Sequence, residues 1–232
     1  MRLLRGRASD PERDYQRTRR MVARAADDAE PALRVWCPHR QVAFGRRDRR
    51  AEGYDRARGA ARDRGYAVLE REVGGRAVAY TGSTVAFALA EPTGESRERP
   101  AGRGGIGHRY DRVSGAVQRA LATVGVEASA GEPTDSFCPG AHSLQADGKL
   151  VGIAQRVRQA VALIAGIVVV RDHAAIADVL APVYDALDVP FDPDTVGSVA
   201  RAGGDTAGVI DALTTALVGA RTVTACDRIR DT

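Results

Sequence analysis

The dipeptide Asp147-Gly148 stands between two stretches of strand-forming character, residues 143–146 and 149–157. Asp-Gly between such runs is a strong signal for a two-residue β-turn, because both turn positions need positive φ and these residues tolerate it. A hairpin joins its strands antiparallel, and the apolar run 161–170, which reads as the most buried strand of the chain, follows closely. On the 149–157 strand, alternation puts Lys149, Val151 and Ile153 on one face and Leu150, Gly152 and Ala154 on the other.

The flanking segments fit around this ribbon. Asp10-Pro11-Glu12 is a helix start, with Asp as N-cap and Pro in the first turn, and the helix runs to about Glu30 before Pro31. Residues 33–36 and 41–45, separated by Cys37-Pro38-His39, predict a second hairpin, and 48–64 a polar helix closed by Gly65. Strands are expected at 66–70, 77–80 and 84–90, with Val73-Gly74-Gly75-Arg76 between the first two. Residues 91–108 are Pro, Gly, Ser, Glu and Arg with little to bury, which predicts a mobile, lid-like loop. An amphipathic helix over 111–124 carries Val113, Val117, Leu121 and Val124 on one stripe, and helices over 173–187 and 205–218 flank Val189-Pro-Phe-Asp-Pro-Asp-Thr. The sum is an α+β domain over 1–232: a mixed, largely antiparallel sheet with flanking helices.

Composition narrows the setting. With 44% hydrophobic residues in 232 positions, the chain can bury a full core and is no disordered tail. No apolar run reaches the ~18 residues of a membrane span, and no apolar stretch backs the N-terminal charges, which points to a cytoplasmic protein without a signal peptide. Three scattered cysteines, Cys37, Cys138 and Cys226, fit a reducing compartment rather than a disulfide framework or zinc knuckle. His39, His108 and His173 have no partners at ligand spacing, so no structural metal is expected. Residues 1–120 hold 26 arginines against 16 acids, whereas 121–232 hold 8 basic and 14 acidic groups. That basic half, with the Arg-Gly-rich stretch 97–107, carries the rival reading of a non-catalytic, nucleic-acid-binding protein, against which counts the absence of aromatic residues from that stretch.

Of 34 basic residues only Lys149 is lysine. Coding bias toward arginine explains the depletion but not the survivor, and a compact ammonium differs from a planar fork. Two readings stay open: a solvated lysine at a hairpin tip, or a functional cation. Gly74-Gly75 likewise reads either as a plain turn or as backbone that approaches a ligand closely, with Arg71 and Arg76 beside it.

Together, Arg71-Glu-Val-Gly-Gly-Arg-Ala-Val-Ala-Tyr80 and, about 70 residues on, Asp147-Gly-Lys-Leu-Val-Gly-Ile-Ala-Gln-Arg156 resemble the lipoate-protein ligase A family. That family shares with the octanoyltransferases and the biotin-ligase catalytic domain the form Arg-x-x-Gly-Gly-x-Ala-Val, followed by Gly-Lys-x-x-Gly-x-Ala. Leu33-Arg-Val-Trp36, Val42-Ala-Phe-Gly-Arg46 and Val189-Pro-Phe-Asp-Pro-Asp-Thr-Val196 extend the likeness along most of the chain.

The resemblance implies a class II synthetase-like, biotin-ligase-like fold and an enzyme that attaches lipoate or octanoate to a lysine of a lipoyl domain. Acceptors would be 2-oxoacid dehydrogenase E2 subunits or the glycine cleavage H protein. Arg71, Gly74, Gly75, Ala77 and Val78 match the stretch that covers acyl chain and phosphate. Lys149 takes the place of the family lysine, followed by Gly152, Ala154 and Gln155. The leading expectation is ATP-dependent ligation through an acyl-adenylate, with Mg2+ entering only with ATP. The alternative is octanoyl transfer through a thioester on Cys138, eleven residues before Lys149, with His142 four residues further on. Three departures bear on this choice. Tyr80 stands where His is usual, Arg76 replaces a third glycine as in the octanoyltransferase-like branch, and Ala165-Gly166 replaces His-Gly. The chain is also expected to lack the small C-terminal accessory domain, so that a ligase of this kind would need a separate small subunit.

Overall fold

The computed structural model describes residues 1–71, 74–93, 105–158 and 160–229. In chain order the elements are β1 (Arg2–Arg5), α1 (Pro11–Asp27), β2 (Ala32–Trp36), β3 (Gln41–Phe44), a 3-10 turn (Asp48–Arg50), α2 (Tyr54–Asp63), β4 (Ala67–Glu70), β5 (Val78–Tyr80) and β6 (Val85–Pro92). There follow α3 (Ile106–Thr123), β7 (Ser129–Ala130), β8 (Ser143–Gln145), β9 (Lys149–Val157), β10 (Val161–Val168), α4 (His173–Ala186), α5 (Val209–Val218) and β11 (Ala225–Arg228). The larger sheet has the order β11-β1-β2-β6-β10-β9-β8-β7, parallel across β11, β1 and β2 and antiparallel from there on. A second sheet, β4-β3-β5, stands beside it. The fold is therefore the expected mixed, largely antiparallel α+β arrangement.

The hairpin forms at its predicted place, with φ of 49° at Asp147 and 99° at Gly148. Gly148 also lies against the segment after α4: a Cβ there would sit 2.7 Å from the Gly197 nitrogen and 2.8 Å from the Thr195 carbonyl oxygen. That packing half-buries Gly148 and leaves Asp147 exposed.

The sheet's two faces differ in side-chain size. Phe87 opposes Gly166, and its ring lies where a Gly166 Cβ would meet it at 2.3 Å. With Val85, Leu89, Ile164, Val168 and Val151 it joins the core made with Val113, Val117 and Leu121 of α3 and Leu213 and Leu217 of α5. The opposite face carries Ala86, Ala88, Gly152, Ala154 and Ala165, with Ala88 paired to Ala165 and Ala165 to Ala154. Such short side chains leave open space between the sheet and its covering elements. The small sheet packs on α2 and α4 through Val42, Phe44, Ala57, Ala61, Val78, Leu180 and Tyr184.

Several expectations need correction. Residues 33–36 and 41–45 are not a hairpin. β1 and β6 occupy both edges of β2, so the chain crosses at Cys37-Pro38-His39 and β3 joins the second sheet. The helix foreseen over 48–64 breaks at Gly53, whose Cβ would lie 1.6 Å from the Ala186 carbonyl oxygen. The loop foreseen over 91–108 is shorter at both ends, since 91–92 belong to β6 and α3 begins at Ile106; residues 94–104 lie outside the described residues. The last predicted helix begins at Val209 rather than at 205, and the pairing of β1 with β11 was not foreseen. Among the described residues, no helix is long and apolar enough to cross a membrane.

Candidate active site

The alanine-floored space is a cavity of about 850 Å³, walled by α1, the second sheet, the loop 138–143 and the faces of β6, β9 and β10. Its lining is apolar along Ala86, Ala88, Leu163, Ala165 and Ile167, with polar side chains at Arg71, Cys138 and His142 and also at Asp14, Arg19, Arg20, Arg156 and Arg158.

Cys138 stands in the left-handed region at φ 45°, just before Pro139, a conformation that costs a non-glycine residue roughly 1–3 kcal/mol. Three groups hold it there. Its backbone N–H donates to the Tyr184 hydroxyl at 2.5 Å, and that hydroxyl donates to the Ala77 carbonyl at 3.0 Å. Its carbonyl accepts from the Lys149 ammonium at 2.8 Å. Its sulfur accepts from Arg71 Nη2 at 3.3 Å, the same nitrogen donating to the Arg76 carbonyl at 2.6 Å.

Gly75 explains the glycine pair. A Cβ on it would lie 2.6 Å from Cys138 Sγ, and its φ of 99° suits glycine alone. Gly45 is required in turn, since its Cβ would stand 2.0 Å from the Gly75 carbonyl oxygen. Glycine is thus needed where the thiol and two backbone segments converge.

Lys149 is not the solvated lysine of a hairpin tip. It is fully buried beneath the Cys138 loop, outside the cavity wall, and donates to Glu132 Oε2 at 2.5 Å, to the Phe137 carbonyl at 2.7 Å and to the Cys138 carbonyl. Three protons meet three acceptors. Glu132 also accepts from the Gly140 N–H at 2.8 Å and from the Ser143 hydroxyl at 2.7 Å, so one carboxylate ties Lys149 to both ends of the loop. Burial pushes the Glu132 carboxyl up, but the Lys149 and Ser143 hydrogen bonds outweigh it and leave the group below its ordinary value.

The imidazole of His142 lies flat on the Tyr110 ring, centroids 3.5 Å apart, and the Tyr110 hydroxyl accepts from the Gln155 N–H at 2.8 Å. Burial pushes the phenols of Tyr80 and Tyr110 up.

Of the residues singled out by sequence, Arg71, Gly74, Gly75, Val78, Tyr80, Cys138, Gly152, Ala154 and Gln155 line the cavity. Arg76 and Ala77 do not: Arg76 pairs with buried Asp48 at 3.3 Å, and Ala77 is buried with its carbonyl on Tyr184. Glu132, Tyr184 and Asp48 went unnoticed because their partners are distant in sequence, although a Glu ahead of the sole lysine was a visible hint. Among the described residues, no group of three or more His, Cys, Asp and Glu side chains gathers at one point. Cys37 is half-buried and Cys226 exposed, both as free thiols.

Residues 10–211 match the family model described as the lipoyl protein ligase A/B catalytic domain. A curated relative, the octanoyl-[GcvH]:protein N-octanoyltransferase of Geobacillus kaustophilus, is 30% identical over 166 residues; these cover 71% of this chain but 56% of the relative, so the chain spans little more than half of that protein. Among solved structures, lipoate-protein ligase A bound with ATP superimposes with a TM-score of 0.72 at 19% identity, covering 100% of this chain and 88% of that one. The bi-partite lipoate protein ligase of Thermoplasma acidophilum, solved in a study with its E2 lipoyl domain, gives 0.64 at 19% identity, covering 99% and 87%.

Proposed function

Because the chain belongs to the lipoyl protein ligase A/B catalytic-domain family, enzymes of lipoyl and octanoyl transfer, we propose that it moves an octanoyl group onto a lysine of a lipoyl-type carrier domain through a thioester on Cys138. The observation that carries this reading is the convergence of Cys138 Sγ, Arg71 and Gly75 on the wall of a cavity floored by alanines. Arg71 donates to the sulfur and so orients the thiol, the group that would attack the donor carbonyl. Gly75 lets the thiol approach the backbone without a side chain between them, which leaves the sulfur open to a substrate. The alanine face takes the acyl tail, with about 0.8 kcal/mol for each methylene removed from water. Lys149 acts from below: by holding two consecutive carbonyls of the loop it fixes the nucleophile's position and keeps positive charge one peptide away from the sulfur.

Two relatives support a choice of donor and acceptor. The Geobacillus protein carries GcvH in its name, and the Thermoplasma ligase was studied with an E2 lipoyl domain. An octanoyl-carrying lysine of an H-type protein as donor and an E2 lipoyl domain as acceptor fit both. This route runs without ATP. Of the cavity carboxylates, Asp14 is already engaged by Arg34 and Trp36, at 2.5 and 2.9 Å.

The test is the mass of an apo lipoyl domain incubated with the protein and one of three donors: octanoylated H protein, an octanoyl carrier-protein thioester, or lipoate with ATP and Mg2+. Gain from an octanoyl donor, lost in Cys138→Ala, is expected. Gain from lipoate and ATP alone, kept in Cys138→Ala, would replace the thioester route with an adenylating one.

A further inference from the structure

The turn Gly74-Gly75-Arg76 has to hold its place beside the thiol without side chains on two of its three residues. A Cβ on Gly75 would meet Cys138 Sγ at 2.6 Å and Arg71 Nη2 at 2.9 Å, so that position has to stay bare. Arg76 is then the one residue of the three with a side chain that can anchor the turn.

The group that Arg76 grips is buried. Its Nη1 meets Asp48 Oδ1 at 3.3 Å, the Asp48 side chain being fully buried and that of Arg76 27% exposed. The other oxygen, Oδ2, accepts from the Gly45 N–H at 2.8 Å, and Gly45 is the residue packed against the Gly75 carbonyl. One carboxylate therefore ties together both backbone segments that converge on the sulfur, Gly45 directly and the glycine turn through Arg76. From the turn the line of bonds runs on to the nucleophile. The Arg76 carbonyl accepts from Arg71 Nη2 at 2.6 Å, and the same nitrogen donates to Cys138 Sγ at 3.3 Å. The main chain of Arg71 is set from the same side, because its N–H donates to the carbonyl of Phe44, next to Gly45, at 2.9 Å.

A carboxylate without exposure is costly to bury, and exchanging a buried ion pair for neutral groups often leaves stability unchanged. Packing alone gives no reason for a charge at this place, whereas a fixed charge that directs a guanidinium does. Building on the thioester reading, we infer that Asp48 and Arg76 are a positioning pair for the nucleophile. Asp48 holds Arg76, Arg76 presents its carbonyl to Arg71, and Arg71 holds the Cys138 thiol in place for attack on the acyl carbonyl. Neither Asp48 nor Arg76 lines the cavity, so the pair acts through Arg71 and the glycine turn rather than on the substrate.

The experiment rests on Asp48→Asn, which keeps an acceptor for Gly45 and removes the charge that Arg76 meets; the partly exposed guanidinium can then turn to water. Acylation of Cys138 is followed by intact mass in single turnover, over a range of concentrations of octanoylated H protein and of an octanoyl carrier-protein thioester. The maximal rate should fall about ten- to a hundredfold, while the donor concentration at half-maximal rate stays within about twofold. Arg76→Met should show the same split, and the double variant should be no slower than the slower single one, because both changes break one link. Alkylation of Cys138 by iodoacetamide, which needs no acyl donor, should differ at least about threefold from the unsubstituted protein in both variants. Full acylation and alkylation rates in Asp48→Asn, even with reduced stability, would reduce the pair to a structural contact and overturn the assignment. Additive losses in the double variant would overturn it too, by showing two independent roles. If the unsubstituted protein takes octanoyl from neither donor onto Cys138, the thioester reading itself falls, and the alkylation comparison still decides whether Asp48 sets the thiol.

Discussion

The ammonium of Lys149 stands 2.8 Å from the carbonyl oxygen of Cys138 and 2.7 Å from that of Phe137, so the sole lysine of the chain binds the peptide that carries the thiol rather than the thiol itself. Its position one residue past a tight turn brings a long side chain under the loop, its Cε 3.9 Å from where a Gly152 Cβ would stand. An arginine would extend the reach and replace one compact centre by a planar fork. Lys149→Arg should therefore lower unfolding free energy by about 2–4 kcal/mol and slow octanoyl transfer at least about tenfold. Urea unfolding together with single-turnover transfer checks this; full stability and full rate in Lys149→Arg would show that any cation serves.

The partner of that lysine gives a pH signature. Glu132 has a carboxyl depressed below its ordinary 4.5, because hydrogen bonds from Lys149 and Ser143 outweigh burial. A group depressed in the folded state adds stability that is complete above the unfolded value and is lost as pH falls through the folded one. Stability should thus decline below about pH 4.5, and Glu132→Gln should be less stable at neutrality yet decline less steeply on acidification. Urea midpoints across the acid range decide it, and parallel curves for the two proteins would sink the idea.

How much of this was legible in the sequence follows the distance over which each feature is determined. The turn at Asp147-Gly148 is a local backbone requirement readable from residue type, whereas Gly74-Gly75 was legible only as a turn or a close approach. The β2–β3 hairpin was misread because Cys37-Pro38-His39 looks like any short connection. What decides the matter is that β2 already has β1 and β6 on its two edges, and no local pattern reports that. Glu132 and Tyr184 escaped for the same reason. Each acts on the Cys138 loop through a bond that spans many residues, 17 from Glu132 to Lys149 and 46 from Tyr184 to Cys138. The intermediate exposure of Leu163, Ala165 and Gly166 on an otherwise buried strand was also invisible, since apolar residues facing a cavity read like apolar residues in a core.

The row Ala88, Ala165 and Ala154 across the sheet predicts a length limit on the acyl group. Ala165 lies at the centre of this row and lines the cavity, so added methyl groups there enter the space assigned to the acyl tail. Ala165→Val should shift preference toward shorter chains by one or two methylenes, each worth about 0.8 kcal/mol or roughly fourfold in affinity. Competition among hexanoyl, octanoyl and decanoyl donors measures the shift. An unchanged chain-length profile would place the tail elsewhere.

Gly75 makes a sharper claim. At φ 99° with a virtual Cβ 2.6 Å from Cys138 Sγ, Gly75→Ala must both strain the backbone and displace the sulfur. Stability should fall by about 1–3 kcal/mol and transfer by at least about 100-fold. The rate of Cys138 alkylation by iodoacetamide should change in parallel, because the thiol would lose its place beside Arg71. Wild-type alkylation kinetics in Gly75→Ala would contradict this geometry.

Tyr184 separates positioning from packing. Its ring lies in the core formed by α2, α4 and the small sheet, while its hydroxyl bridges the Cys138 N–H and the Ala77 carbonyl. Tyr184→Phe keeps the ring and removes only the bridge, leaving one buried donor and one buried acceptor without partners. Such a loss costs about 1–3 kcal/mol in unfolding free energy. The N–H of Cys138 is one of the restraints that keep this residue in the left-handed region, so the effect should reach the reaction as well. The rate of Cys138 acylation should fall about ten- to a hundredfold while KM for the acyl donor stays within about twofold, because the alanine floor is untouched. A Tyr184→Phe protein that loses stability but acylates Cys138 at the full rate would reduce the hydroxyl to a structural bridge.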